Sequence, residues 1–138
     1  MGYTGANANE PAAGRRRGEG VRVLIVDDDR LIRKMMRAVL EAEGLECHEA
    51  STAAEAMARL RDVPPDVCFL DHVLPDADGL TLLQLIGATP GLLAPPRVYL
   101  VTGSDEPGLA RKAMELGARG LLSKPVPPEV LIKRAREA

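Results

Sequence analysis

The sequence predicts a three-layer α/β/α sandwich built on a five-stranded parallel sheet. Three observations carry that reading. Short apolar, β-branched runs alternate five times with helix-like stretches, the pattern of strands joined by crossover helices. Each apolar run ends abruptly near a polar residue, as a buried parallel strand does where it leaves the sheet. The aromatics are only Tyr3, Phe69 and Tyr99, so the layers must pack through Leu, Val, Ile, Ala and Met. Crossovers in such a sheet are right-handed, and nothing repeats beyond the strand–helix unit itself.

The elements follow in order. Residues 21–26 (VRVLIV) form a first strand that stops at Asp27-Asp28-Asp29. Leu31, Ile32, Met35, Met36, Val39 and Leu40 recur at spacings of three and four, which makes an amphipathic helix. Asp29 is its N-cap and Gly44 its stop. A weaker strand covers 45–49, and Ser51 or Thr52 caps an Ala-rich helix running to Arg61. Pro64-Pro65 breaks the chain there. Residues 66–70 form the third strand, followed by Asp71 and a loop over 72–79. Leu80, Leu82, Leu83, Leu85 and Ile86 mark a third helix, and the Gly- and Pro-rich stretch 87–96 is a loop. The fourth strand is 97–101, ending in Thr102, and the fourth helix spans 107–116 with Pro107 in its first turn. Residues 119–122 make the fifth strand, followed by Ser123 and Lys124. Pro128 opens a last helix that is still running at Ala138.

Length and charge narrow the function. One domain is expected of 138 residues, 46% of them hydrophobic and 28% charged. Residues 1–20 are rich in Gly, Ala, Asn and Arg and have no hydrophobic period, so a disordered tail is expected there, with the domain over 21–138. Arg15, Arg16 and Arg17 read as a solvated run, or as an arm for an acidic partner. The tail has no apolar h-region, and no apolar run reaches the roughly 18 residues of a membrane helix, so a cytoplasmic protein is expected. A net charge of −2 leaves no basic excess for nucleic-acid phosphates. Scarce aromatics remove stacking platforms for bases, flavins or sugars. Cys47 and Cys68 make no metal or redox motif and read as buried, reduced thiols. His48 and His72 have no second ligand at metal spacing.

The polar residues collect at strand ends. Asp27 and Asp28 follow the first strand, Asp71 the third, Thr102 the fourth and Lys124 the fifth, all at carboxyl ends, where open α/β sheets bind ligands. Singly, each is ordinary: an Asp pair solvates a loop, a Lys before Pro lies at the surface. Their conjunction is not. If the first and third strands are neighbours, about 4.8 Å apart, three carboxylates converge. Two such charges about 4 Å apart repel by roughly 4 kcal/mol at an effective dielectric near 20. A proton or a cation must relieve that, and Mg²⁺ suits a few carboxylates plus water and a phosphate oxygen. Lys124 adds a point charge for a phosphoryl group and Thr102 a hydroxyl donor. The carboxylate can itself be the nucleophile.

The segments LIVDDD (24–29), FLDHVLPDADG (69–79), YLVTGS (99–104) and GARGLLSKPV (117–126) resemble the response-regulator receiver domain of two-component signalling. The resemblance covers everything but the tail. It implies the flavodoxin-like strand order 2-1-3-4-5, which is taken from the family. It implies that Asp71 accepts a phosphoryl group from a phosphohistidine of a sensor histidine kinase or histidine phosphotransfer protein. Mg²⁺ is then held by Asp28, Asp71 and the Val73 backbone carbonyl, with Asp27 acting through a bound water. Thr102 and Lys124 meet phosphate oxygens. Lys124-Pro125 is expected to be cis, and Gly79 to supply a permissive backbone after Asp78. The domain is expected to promote its own phosphorylation and autodephosphorylation rather than turn over a substrate. Helix four, strand five and helix five would carry the output, to a homodimer or a downstream effector.

Departures from the family bear on output. Leu121 stands where receivers commonly carry a Tyr or Phe rotamer switch, and Val126 where many have Phe after the Lys-Pro pair. Tyr99, three residues from Thr102, falls on the other face of its strand. A backbone shift in the loop 104–109 is the expected relay. The resemblance implies that Val73 and Ser104 occupy positions flanking the path of attacking water, and His72, beside Asp71, is expected to modulate access to it. Two other functions compete. A phosphatase with an Asp nucleophile would need a second Asp where Val73 stands, and a flavin site would not tolerate Asp27-Asp28-Asp29 in its phosphate loop. No output domain follows Ala138, which suggests a stand-alone receiver or a piece of a longer regulator.

Overall fold

Strand β1 (Arg22–Val26) has Val23 through Val26 buried, because helices cover both faces of the sheet around it. The computed structural model describes residues 20–89 and 95–137. The expected tail, the Arg15–17 run, part of the loop after the third helix and Ala138 lie outside the described residues. After β1 come α1 (Arg30–Glu41), β2 (Glu46–Ala50), α2 (Ala53–Asp62), β3 (Val67–Asp71) and α3 (Gly79–Ala88). They are followed by β4 (Arg97–Thr102), α4 (Leu109–Glu115), β5 (Gly120–Ser123) and α5 (Pro128–Arg136). The strands are all parallel, in the order β2-β1-β3-β4-β5. This is the expected flavodoxin-like sandwich.

Two aliphatic cores fill the layers. Leu24, Val26, Cys68, Leu70, Val98 and Leu100 face α2, α3 and α4. On the other side Val23, Ile25, Phe69, Tyr99 and Val101 meet Met36 and Leu40 of α1 and Leu131 and Ala135 of α5. The alternation along each strand sends successive side chains to opposite cores. The cysteines divide the same way, Cys47 with the α1/α5 core and Cys68 with the other, and both are free.

Local signals set most ends. Asp29 caps α1, accepting from the Leu31 and Ile32 N–H groups, and Thr52 rather than Ser51 caps α2. Gly44 (φ 82°) provides the left-handed turn after α1. Three expectations need correction. Helix α4 begins at Leu109, two residues late, because Gly108 has φ 83° and breaks any helix started at Pro107. Helix α5 stops earlier than expected. It ends at Arg136, where Glu137 turns extended and Arg97 donates to the Arg134 and Ala135 carbonyls. Gly79 is not needed for a permissive dihedral. It is absent from the positive-φ residues, and a Cβ there would sit 2.6 Å from the Asp71 carbonyl oxygen and 2.8 Å from Leu100 Cδ1. Its role is close approach. Strand boundaries shift by about a residue, and β3 and β4 end on Asp71 and Thr102, where the sequence places the strand ends.

Candidate functional site at the carboxyl edge of the sheet

The chain order puts β1 between β2 and β3 and sends its crossovers to opposite faces, which opens a crevice beyond the ends of β1 and β3. Asp27, Asp28 and Asp71 meet there. Each offers one carboxylate oxygen, and these oxygens lie within 4.8 Å of one another. Asp27 and Asp71 are buried, at 2% and 6% exposure, whereas Asp28 is exposed at the mouth. Backbone contacts hold the walls. The Asp27 N–H donates to the Ala50 carbonyl (3.1 Å), and its Oδ1 accepts from the Asp29 N–H (2.9 Å). Beyond β3, the His72 N–H donates to the Val101 carbonyl and the His72 carbonyl accepts from the Gly79 N–H. A Val73–Asp78 bridge closes the loop between them.

Lys124 reaches in from the end of β5. Its Nζ is 2.9 Å from Asp27 Oδ2 and 3.1 Å from Asp71 Oδ1, and its own N–H donates to the Thr102 carbonyl. The Lys124-Pro125 peptide is cis, as expected. Burial pushes the Asp71 carboxyl above its ordinary range and the charge of Asp27 pushes it further, which the ammonium only partly offsets. Burial works to lower the Lys124 ammonium, yet the hydrogen bonds to Asp27 and Asp71 outweigh it and hold it above its ordinary value. One ammonium thus faces two buried carboxylates with a third nearby. The hard oxygen donors and the surplus negative charge fit a divalent cation such as Mg²⁺.

Thr102 is buried at the end of β4, and its Oγ1 accepts from the Ser104 N–H at 3.0 Å. Ser104 Oγ in turn accepts from the Glu106 N–H (3.1 Å), so the loop after β4 is wound onto that threonine. Val73 is 67% exposed beside the crevice. His72 is half-buried, with Nδ1 enclosed and without a hydrogen-bond partner among the described residues. Leu121 is the outlier. It pairs in register with Leu100 and packs, partly buried, in the core beneath α4, away from the carboxylates. Tyr99 lies on the opposite face, stacked on Phe69 with ring centroids 5.9 Å apart.

Two supports of the site were not read from the sequence. Asp76 accepts from the N–H groups of Ala53 (2.8 Å) and Ala54 (3.0 Å), tying the loop after Asp71 to the start of α2. Arg33 donates from Nη1 to the Asp27 carbonyl at 2.7 Å. The Asp76 contact spans elements far apart in sequence and has no local signature. The spacing of Arg33 and Arg37, with Glu49 near the end of the neighbouring strand, was the available signal for the other.

Residues 23–136 match the response regulator receiver domain, and the chain belongs to that family. Among curated proteins it is similar to protein-glutamate methylesterase/protein-glutamine glutaminase 5 of Myxococcus xanthus, 40% identical over 108 residues, covering 76% of this chain and 30% of that protein. It also resembles the phosphate regulon transcriptional regulatory protein PhoB of Pseudomonas aeruginosa, 32% identical over 117 residues, covering 85% of this chain and 51% of the relative. The chain thus spans about half or less of these relatives. Among solved structures, a CheY-like receiver domain protein from Methanospirillum hungatei superposes with a TM-score of 0.75 at 32% identity, covering 84% of this chain and 90% of that one. Chemotaxis response regulator CheY4 of Vibrio cholerae gives 0.75 at 28%, covering 83% and 95%. Among the described residues, no helix is long and apolar enough to cross a membrane.

Proposed function

We propose that Asp71 is the phosphoacceptor of a two-component switch. The observation that carries this is Asp71 itself: a buried carboxylate in a cluster of three, held by the Lys124 ammonium, one strand away from the Thr102 hydroxyl. The donor is the phosphohistidine of a sensor kinase or phosphotransfer protein. An Asp71 carboxylate oxygen forms the O–P bond as the P–N bond breaks. The electron pair returns to the imidazole nitrogen of the donor, which is protonated from solvent. Asp28, Asp71 and the Val73 carbonyl would hold Mg²⁺ directly and Asp27 through water, and the cation supplies charge neutralisation for the phosphoryl oxygens. Lys124 keeps its ammonium at Asp71, where it meets the incoming charge, and the remaining catalysis is positioning.

Thr102 now binds the Ser104 N–H. Turning its hydroxyl toward a phosphoryl oxygen would release that N–H and unwind the loop that precedes α4. The output is a population shift between two arrangements of this loop, α4, β5 and α5, presented to a second copy or an effector in the cytoplasm. His72, Val73 and Ser104 set water access and hence phosphate lifetime. Intact mass after incubation with Mg²⁺ and acetyl phosphate or phosphoramidate tests the proposal. One added phosphoryl group is expected on the wild type and none on Asp71→Asn. Equal labelling of the two would overturn it.

A further inference from the structure

A second charge network lies behind the acidic cluster. Glu49 in β2 has a side chain only 11% exposed, and it meets three cations of α1. Arg33 Nε is 2.9 Å from its Oε1, while Lys34 Nζ and Arg37 Nη1 are each 2.8 Å from its Oε2. Lys34 and Arg37 are ordinary ion pairs that reach solvent, at 50% and 36% exposure. Arg33 differs. Its side chain is 14% exposed, and its Nη1 donates to the Asp27 backbone carbonyl. That carbonyl belongs to the peptide joining Asp27 to Asp28. The guanidinium is therefore fixed at two points, by Glu49 on one nitrogen and by the peptide on another. A rigid planar fork held in this way fixes the plane of the peptide it donates to. The other side of Asp27 is fixed by its N–H on Ala50.

We infer that Arg33, oriented by Glu49, is a positioning residue for divalent-cation binding: it sets the Asp27–Asp28 peptide so that both carboxylates face Asp71. The inference rests on the reading of the acidic cluster as a cation site. Bare electrostatics argues the opposite sign, since a guanidinium near the cluster repels a divalent cation and its loss would tighten binding. A positioning role makes its loss weaken binding. The direction of the change therefore separates the two.

The measurement is the Mg²⁺ dissociation constant of the full chain by titration calorimetry, with thermal melts in chelator alongside. Arg33→Met is expected to weaken Mg²⁺ binding by about tenfold, the lower end of what hydrogen-bonded supports of metal ligands contribute. Arg33→Lys should recover part of that. Lys34→Met and Arg37→Met, which remove the same charge without touching Asp27, should bind as tightly as the wild type or more so. Should Arg33→Met fold poorly, Arg33→Gln removes the same charge and the same hold on the Asp27 carbonyl while keeping a polar side chain, and it is expected to weaken binding in the same direction. Wild-type or tighter binding in a folded Arg33→Met overturns the role of Arg33 and leaves the cation site standing. No Mg²⁺ binding by the wild type overturns the site, and this inference with it.

Discussion

Asp76 Oδ1 accepts a hydrogen bond from the Ala53 N–H at 2.8 Å, which joins the loop leaving β3 to the first turn of α2. Five residues after Asp71, a carboxylate occupies a helix N-terminus that a local side chain, Thr52, caps only in part. The loop that carries Val73 is thereby held to a rigid element.

Asp76→Ala should release that tie. The Ala53 and Ala54 amides are then expected to exchange with deuterium faster than in the wild type, while amides in β1 and β3 keep their protection. Unchanged exchange at both alanines would sink the claim.

Gly79→Ala places a methyl group 2.6 Å from the Asp71 carbonyl oxygen. The nearest obstacle is backbone and cannot swing aside, so a loss of about 1–3 kcal/mol is expected in denaturant unfolding. Because the clash lies at Asp71, phosphoryl uptake should fall as well. A variant as stable as the wild type would mean that the loop shifts without cost.

Glu49 is depressed from the ordinary 4.5 to about 2: burial alone would raise it, but hydrogen bonds from Lys34, Arg37 and Arg33 overcome that. A lowered carboxyl pKa contributes stability that is full above the unfolded value and lost as pH falls through the folded one. Glu49→Gln should therefore be less stable than the wild type at pH 7, by about 1–2 kcal/mol after solvent screening. The gap should close as pH falls from 4.5 toward 2. A gap that persists at the acid end would assign the loss to packing instead.

Lys124→Met leaves Asp27 and Asp71 facing each other without their shared ammonium. Mg²⁺ affinity should rise, since one positive charge has gone. The phosphorylation rate at saturating Mg²⁺ should fall by about 10²-fold, as when a charge-stabilising donor is removed. Stopped-flow with phosphoramidate separates the two effects. A joint rise or a joint fall would contradict the role given to Lys124.

What was legible in the sequence was what local chemistry encodes. The five apolar runs, the Asp29 cap and the polar residues at strand ends each carry their signal within a few positions, and the order of strands came from family resemblance. What was missed depends on contacts across the fold. Asp76 on Ala53 and Arg33 on Asp27 need the elements packed before either can be seen. At the start of α4, Pro107 carries a first-turn preference within its own residue, whereas the left-handed dihedral of Gly108, which decides the boundary, is set by the fold. Gly79 was noticed for the wrong property, because a turn preference can be read from sequence but a carbonyl oxygen 2.6 Å away cannot.

The division of the cysteines between the two cores has a practical consequence. Burial pushes both thiols up to about 12, so neither is nucleophilic while its layer is shut. Alkylation of Cys47 then reports opening of the core under α1, and alkylation of Cys68 reports opening of the core on the other face of the sheet. The protein carries two native clocks, one per side, and mass spectrometry can read which side opens first without any added label.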